Sequence, residues 1–136
     1  MKRILCLVLA LMLVMLSVTP ALAAENESSV MPRYSYIGRI YAGLQIGNLG
    51  LSACRANCYA EGGASVALTA KLQQYNGSTW TTVKTWTATG TDIASISKNY
   101  AVPSGYTYQL RVTCAVFNAA GTLIETGTCY SNQVTY

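Results

Sequence analysis

Histidine is absent from the 136-residue chain, and charged residues make up only 10% of it. Without histidine the chain has no ordinary general base near neutral pH, no Ser-His-Asp or Cys-His pair and no histidine ligand for zinc. Carboxylates are scarce as well, because only Glu61, Asp92 and Glu125 follow residue 32. Hydrolysis by two carboxylates needs a pair of them at close range. We therefore expect no enzyme, no metal site and no cofactor.

Basic residues outnumber acidic ones by nine to five, but they are spread singly along the chain. A protein that binds nucleic acid or an anionic membrane concentrates its basic residues in a patch or stripe. We expect neither of these partners. The chain after residue 32 is instead rich in Thr, Ser, Tyr, Ala and Gly, and Thr and Tyr favour β-strands.

The N-terminus has the order of a secretory signal peptide. Lys2 and Arg3 precede an apolar run at 4–18, and Ala21-Leu22-Ala23 follows it, which suits cleavage after Ala23. The apolar run is shorter than the roughly 20 residues of a membrane-spanning helix. We expect a protein that is secreted or held at the cell surface, with no membrane span after cleavage. The expected parts are a signal peptide at 1–23, a flexible leader at 24–32 and one domain at 33–136.

The rest of the chain alternates between polar and apolar residues, and turn residues interrupt the alternation at intervals of roughly 12 to 16 residues. No segment of useful length has the period of an amphipathic helix. The pattern predicts an all-β fold, an immunoglobulin-like antiparallel β-sandwich of about seven strands. The predicted strands are 33–46, 49–60, 64–75, 78–88, 92–102, 106–117 and 122–136.

Two resemblances point the same way. The segment "GYTYQLRVTCAVFNAAG" at 105–121 resembles the penultimate strand and hairpin of fibronectin type III and related immunoglobulin-like domains, where a tyrosine starts the strand. The whole layout, with "KLQQYNGSTWTTVKTW" at 71–86 and the paired cysteines, is similar to a family of small secreted bacterial proteins of unknown function. These resemblances imply secretion and an all-β fold, and they bring no activity.

Four cysteines follow the signal peptide, and an even number in a secreted chain is typical of disulfides. A zinc site is disfavoured because Cys114 and Cys129 are fifteen residues apart, and a redox pair is disfavoured because three residues separate Cys54 from Cys58. In an extended strand Cys54 and Cys58 stand roughly 13 Å apart, which is too far for a bond.

The strand directions suggest how these cysteines pair. A four-residue loop at 118–121 would place Cys129 opposite Leu110, so that Cys114 and Cys129 are offset by the same four residues as Cys54 and Cys58. If successive strands alternate in direction, the second and sixth strands run the same way. We therefore predict two disulfides, Cys58–Cys114 and Cys54–Cys129.

The hairpin at 64–88 carries the candidate binding surface. Asn76-Gly77 is a strong signal for a two-residue turn, which pairs Gln73 with Trp80 and turns alternate residues of the second strand away from the core. The predicted surface consists of Tyr75, Gln73, Trp80, Thr82, Lys84 and Trp86. A three-residue loop or one bulge would instead turn both indoles into the core, and this alternative remains open.

A row of aromatic rings flanked by amide, hydroxyl and ammonium groups suits stacking on sugar rings or on a partner protein. We therefore expect a non-enzymatic binding or adhesion-type module that recognises an extracellular glycan or protein. Two alternatives stay open. One is a bacteriocin-like or envelope-active secreted effector, and the other is a structural protein of the cell surface.

Overall fold

A computed structural model of the chain describes residues 34–136. The predicted signal peptide at 1–23, the leader at 24–32 and Arg33 lie outside the described residues. Residues 34–136 form eight strands and no helix, so none of them belongs to a helix that could cross a membrane. The strands are β1 (Ile37–Ile46), β2 (Leu51–Ala60), β3 (Ser65–Tyr75), β4 (Trp80–Thr91), β5 (Ile93–Ala101), β6 (Thr107–Phe117), β7 (Leu123–Tyr130) and β8 (Val134–Thr135).

Each predicted strand segment overlaps one of these strands, except that the last contains two, and β4 continues to Thr91, three residues past its predicted end at 88. Ser131 separates β7 from β8, and its hydroxyl accepts a hydrogen bond from the Leu110 backbone N–H at 2.8 Å while donating to the Asn132 carbonyl at 2.7 Å. The Ser131 hydroxyl thus accepts the hydrogen bond that a backbone carbonyl of a neighbouring strand would otherwise accept. The C-terminal segment therefore pairs with β6 twice, through β7 and through β8.

The strands form two antiparallel sheets that enclose one core. The smaller sheet has the order β1-β2-β5, and the larger has the order β4-β3-β6-β7 with β8 also on β6. Alternate residues of β2, β3 and β6 are buried, as the period-two pattern predicts for strands with one face in the core. The largest fully buried side chains include Tyr108, Leu68, Leu72 and Leu110. The domain is therefore an all-β sandwich.

The two ends of the sandwich differ in character. One end holds the β2–β3 loop, the β4–β5 turn and the β6–β7 loop, and it carries Glu61, Asp92 and, close by, Glu125. We call it the acidic end. The other end holds the β1–β2, β3–β4 and β5–β6 loops, and we call it the hairpin end. Strands β2 and β6 both run from the hairpin end to the acidic end.

Because β2 and β6 run the same way, Cys58 meets Cys114 across the core. The two form a disulfide with 6.3 Å between their Cα atoms, as the sequence predicts. The bridge joins the two sheets and lies in a fully buried position. Chain-entropy arguments for a loop of this length give a contribution of about 4 kcal/mol to the free energy of unfolding.

The second predicted disulfide, Cys54–Cys129, is not formed, and both thiols are free. The β6–β7 loop has five residues, 118–122, where the sequence predicts four, and a bulge at Ile124 adds one more. Together these changes place Cys129 opposite Val112 instead of Leu110. Strand β7 also packs against β1, and among the described residues no Cα of β2 lies within 8 Å of a Cα of β7. A disulfide needs a Cα separation below about 7 Å. The distance between β2 and β7 therefore prevents this bond.

Candidate binding face

The β3–β4 hairpin turns through four residues, Asn76 to Thr79, and not through the predicted two-residue turn. The Asn76 backbone N–H donates to the Thr79 carbonyl at 3.2 Å, and the Asn76 side-chain oxygen accepts from the N–H groups of Ser78 and Thr79. Gly77 adopts a φ of 94°, which glycine tolerates best. Tyr75 consequently pairs with Trp80, and the predicted pairing of Gln73 with Trp80 is wrong.

A bulge at Val83 then changes the register a second time. Gln73 pairs with Thr82, but its neighbour Leu72 pairs with Lys84, so Val83 has no partner on β3. A regular four-residue hairpin would place Lys71 directly opposite Lys84, and like charges in that position repel. The bulge moves Lys71 opposite Thr85 instead. It also reverses which residues of β4 face the core beyond this point.

The predicted surface is therefore divided between two faces of the sheet. Lys84 and Trp86 lie on the inner side, opposite the buried residues Leu72 and Ala70. Trp86 meets the ring of Tyr100 on β5 edge to face at 6.3 Å, and the Lys84 ammonium lies 5.8 Å from the centre of the same ring. These contacts close the side of the sandwich between β4 and β5. Trp86 therefore packs against the core, whereas Lys84 stays exposed beside the Tyr100 ring.

The other four predicted residues stay together on the solvent side of the larger sheet. Tyr75 and Trp80 form an aromatic pair at the hairpin end, with ring centres 5.0 Å apart and planes inclined by 37°. Both side chains are half-buried. Gln73 and Thr82 occupy the next pair of positions along the strands. We call this solvent side of the larger sheet the outer face.

An amide ladder continues the outer face across the sheet. The Gln109 amide nitrogen donates to the Gln73 side-chain oxygen at 3.0 Å, and the Gln133 amide nitrogen lies 3.4 Å from the Gln109 side-chain oxygen. Gln109 is only 8% exposed. Hydrogen bonds to neighbours hold these amides in fixed orientations beside the aromatic pair. A bound ligand would therefore meet prearranged polar groups next to two rings.

The next pair of positions toward the acidic end carries two cations. Lys71 of β3 lies directly opposite Arg111 of β6, and Arg111 in turn lies opposite Tyr130 of β7. Tyr130 is 55% exposed. Beyond these residues the outer face is lined by threonines from all four long strands. They are Thr69, Thr85, Thr87, Thr113, Thr126 and Thr128.

The two free thiols lie on the inner side, away from the outer face. Burial raises the pKa of the Cys54 thiol, although the neighbouring Ser52 hydroxyl and Arg55 lower it. Burial also raises the pKa of the Cys129 thiol. Reactive thiols have a depressed pKa, so both cysteines are poor nucleophiles at neutral pH. Within residues 34–136, moreover, no three potential metal ligands come together.

Glu125 accepts more hydrogen bonds than any other carboxylate of residues 34–136. Its oxygens accept hydrogen bonds from the backbone N–H groups of Ser35, Tyr36 and Ile37 at 2.7 to 2.8 Å. Desolvation raises the pKa of Glu125, but these three donors lower it further, so the pKa lies below its usual range. The carboxylate therefore ties the start of the domain to β7.

Comparison with protein-family models finds no match for this chain, and comparison with the sequences of curated proteins finds none either. A function for the chain is therefore inferred from the outer face.

Sequence reasoning did not find the part of this face that β6 and β7 contribute. Gln109 and Arg111 alternate with apolar residues as on any half-buried strand, and their approach to Gln73 and Lys71 depends on the pairing of β3 with β6. The signal that could have found it is the alternation in β3 and β6, which places the odd-numbered residues of both strands on the side away from the core.

Proposed function

We propose that this protein is a secreted, non-enzymatic binding module that recognises an extracellular glycan through the outer face. The observation that carries the proposal is the Tyr75–Trp80 ring pair beside the Gln73–Gln109–Gln133 amide ladder. Aromatic faces stack on the apolar faces of sugar rings, and amides present both a donor and an acceptor to sugar hydroxyls.

The shape of the outer face supports an extended ligand. Its width is set by four long strands, which lie about 4.8 Å apart. Its length is set by several outward-facing residue pairs, which follow each other at roughly 6.7 Å along the strands. This gives an open area on the order of 14 Å by 14 Å, the footprint of a few sugar rings. A polar, flat face of this kind suits a polysaccharide better than an apolar protein partner.

We also propose that the sandwich is immunoglobulin-like. Three observations support this assignment. Strands β1, β2 and β5 share one sheet while β3, β6 and β7 share the other, like strands A, B, E and C, F, G of that fold. The disulfide joins β2 to β6, the positions of strands B and F. The Tyr108 hydroxyl donates to the Pro103 carbonyl at 2.6 Å, as in a tyrosine corner. A crystal structure with β2 and β6 in the same sheet would contradict the assignment of the strands.

The glycan proposal is tested by binding to purified polysaccharides, with chitin, cellulose, xylan, peptidoglycan and alginate as probes. We expect saturable binding to at least one of them, measured by pull-down and calorimetry. Tyr75→Ala and Trp80→Ala should each weaken binding by about tenfold or more.

Tyr59→Ala is the matched control, because Tyr59 is 44% exposed on the solvent side of the smaller sheet. This variant should bind like the wild type. The proposal is wrong if the wild-type domain binds no probe, or if Tyr59→Ala weakens binding as much as Tyr75→Ala does. Growth inhibition or vesicle leakage without glycan binding would favour the envelope-active effector, and retention on washed cell walls without saturable binding would favour the structural role.

A further inference from the structure

Lys71 and Arg111 form a cationic pair at the centre of the outer face. They lie directly opposite each other on the neighbouring strands β3 and β6, and both side chains are half-buried. Like charges at directly opposed positions destabilise a sheet. The pair of Lys71 and Arg111 therefore lowers the stability of the sheet at this position.

No carboxylate of the described residues lies near enough to neutralise the pair. Asp92 and Glu61 flank the Ser65 end of β3, six residue pairs away from Lys71, or roughly 20 Å. Glu125 lies opposite Val116, five pairs from Arg111, or roughly 17 Å. Both separations exceed the Debye length of about 8 Å at physiological salt.

Two of these carboxylates also accept hydrogen bonds from backbone N–H groups close to their own positions. Glu125 accepts three backbone N–H groups at the start of the domain. Asp92 accepts the Ala64 backbone N–H. The positive charges of Lys71 and Arg111 are therefore not neutralised within the described domain and are available to an anion from outside it.

Arg111 has an unused donor as well. Its Nε is covered by neighbouring atoms and finds no hydrogen-bond acceptor among residues 34–136. Covered donors without an acceptor are uncommon in folded proteins and call for an explanation. A guanidinium group presents paired N–H donors that match the two oxygens of a carboxylate or sulfate.

The surroundings of the pair are those of a sugar site and not of a nucleic-acid site. Gln73 and Gln109 lie one pair of positions away on the hairpin side, Thr69 and Thr113 lie one pair away on the other, and Tyr130 flanks Arg111. A nucleic-acid site needs a row of cations along the phosphate backbone. Two cations among hydroxyls, amides and rings instead suit one or two acidic groups on a sugar chain.

We infer that the glycan bound by the outer face is an acidic polysaccharide, whose carboxylate or sulfate groups are held by Lys71 and Arg111. This inference rests on the proposed function and names the substrate class of the same face. The aromatic pair and the amide ladder contact the sugar rings, and the cationic pair selects the acidic ones.

The experiment compares oligosaccharides of matched length: oligogalacturonate for carboxylate, sulfated dextran for sulfate and unmodified dextran as the neutral probe. We expect the wild-type domain to bind at least one acidic probe about tenfold or more tightly than the neutral probe at 50 mM NaCl. The preference should shrink at 500 mM NaCl because salt screens charge pairs.

The double variant K71Q/R111Q should lose the preference for the acidic probe. K98Q/R55Q is the matched control, because it removes the same charge from exposed positions of the smaller sheet, outside the outer face. The control should keep the preference. Equal loss in both double variants would show general charge attraction and overturn the inference.

The outcomes separate the inference from the proposed function. Equal binding of acidic and neutral probes by the wild type overturns the inference and leaves glycan binding intact. Binding of no probe overturns both. Preference for an acidic probe that survives Tyr75→Ala and Trp80→Ala without loss of affinity supports the cationic pair and contradicts the aromatic platform.

Discussion

Asp92 and Ala64 are joined by a reciprocal pair of hydrogen bonds. The Asp92 backbone N–H donates to the Ala64 carbonyl at 2.9 Å, and the Ala64 N–H donates to the Asp92 side-chain oxygen at 3.1 Å. Asp92 sits in the turn where the chain passes from β4 in the larger sheet to β5 in the smaller one. It holds a left-handed backbone conformation with a φ of 59°.

Substitutions of Asp92 should follow an order set by these two properties. Asp92→Asn keeps a side-chain oxygen and tolerates the left-handed conformation, so the free energy of unfolding should change by less than about 0.5 kcal/mol. Asp92→Gly loses the hydrogen bond only, at about 1 kcal/mol. Asp92→Ala loses the bond and strains the backbone, at about 2 kcal/mol. Urea unfolding measures all three, and equal stability of the Ala and Asn variants would contradict this account.

Tyr108 should stabilise the domain through its hydroxyl as well as its ring. The ring is fully buried, and the hydroxyl donates to the Pro103 carbonyl in the loop before β6. Tyr108→Phe keeps the packing and removes this bond, so we expect a loss of about 1 kcal/mol in the free energy of unfolding. Tyr106→Phe is the control, since the Tyr106 hydroxyl bonds to none of residues 34–136 in the structure, and it should change stability by less than about 0.5 kcal/mol. Similar losses in both variants would argue against the Tyr108 bond.

Protonation of Glu125 should make the domain less stable in acid. Its pKa in the folded state lies below the unfolded value of about 4.3, because three backbone N–H groups favour the charged carboxylate over the opposing effect of desolvation. Its stabilising contribution is therefore complete above about pH 4.3 and is lost as the pH falls through the folded-state pKa.

Glu125→Gln should lower the free energy of unfolding at pH 7 by about 1 kcal/mol and flatten its dependence on pH below 5. Glu61→Gln serves as the control, because Glu61 makes no side-chain hydrogen bond to the described residues. Urea unfolding at a series of pH values gives both profiles. Parallel profiles for the wild type and Glu125→Gln would contradict the role given to Glu125.

The domain should contain two free thiols and one disulfide. Alkylation in denaturant without a reductant, followed by peptide mapping, should modify Cys54 and Cys129 and leave Cys58 joined to Cys114. In the native state Cys129, which is half-buried, should react slowly, and the fully buried Cys54 should react only on unfolding. Finding Cys54 and Cys129 in one bridged peptide would instead support the disulfide that the sequence suggests.

The strands and their buried faces could be predicted because β-sheets impose a period of two on the sequence. Val66, Leu68, Ala70 and Leu72 are buried in β3, and the same alternation marks β6. The Cys58–Cys114 pairing was predicted from the strand directions and from equal four-residue offsets of the two cysteine pairs; the directions are confirmed, whereas the offset of Cys129 is not. These features depend on the local sequence pattern and on the direction of the strands, and both can be inferred from a single sequence.

The registers could not be predicted, because a bulge adds one residue without leaving a mark on the pattern. The sequence "TTVKT" around Val83 accommodates either register, and repulsion between Lys71 and Lys84 favours the bulged one only after the four-residue loop is known. The five-residue loop and the bulge near Ile124 likewise move Cys129 by two positions along β6. The bulge at Val83 thus divided the predicted binding surface, while the packing of β7 against β1 keeps Cys129 apart from Cys54.

The cationic pair was beyond sequence reasoning for a different reason. Lys71 and Arg111 are forty residues apart, and they meet because β3 and β6 are neighbours in the larger sheet. Strand order in a sandwich is set by the whole fold. Basic residues that look scattered along the chain can therefore converge on one face.

The uneven placement of charge along the sandwich gives residues 34–136 an electric dipole. All three carboxylates of the described residues lie at or near the acidic end, where Arg39 is a lone cation. Four cations, Lys71, Lys84, Lys98 and Arg111, lie in the half toward the hairpin end. Such a dipole rotates a diffusing protein in the field of a charged surface before any contact is made. We therefore propose that the domain approaches an acidic matrix with the hairpin end, which carries Trp80 and Tyr75, in front.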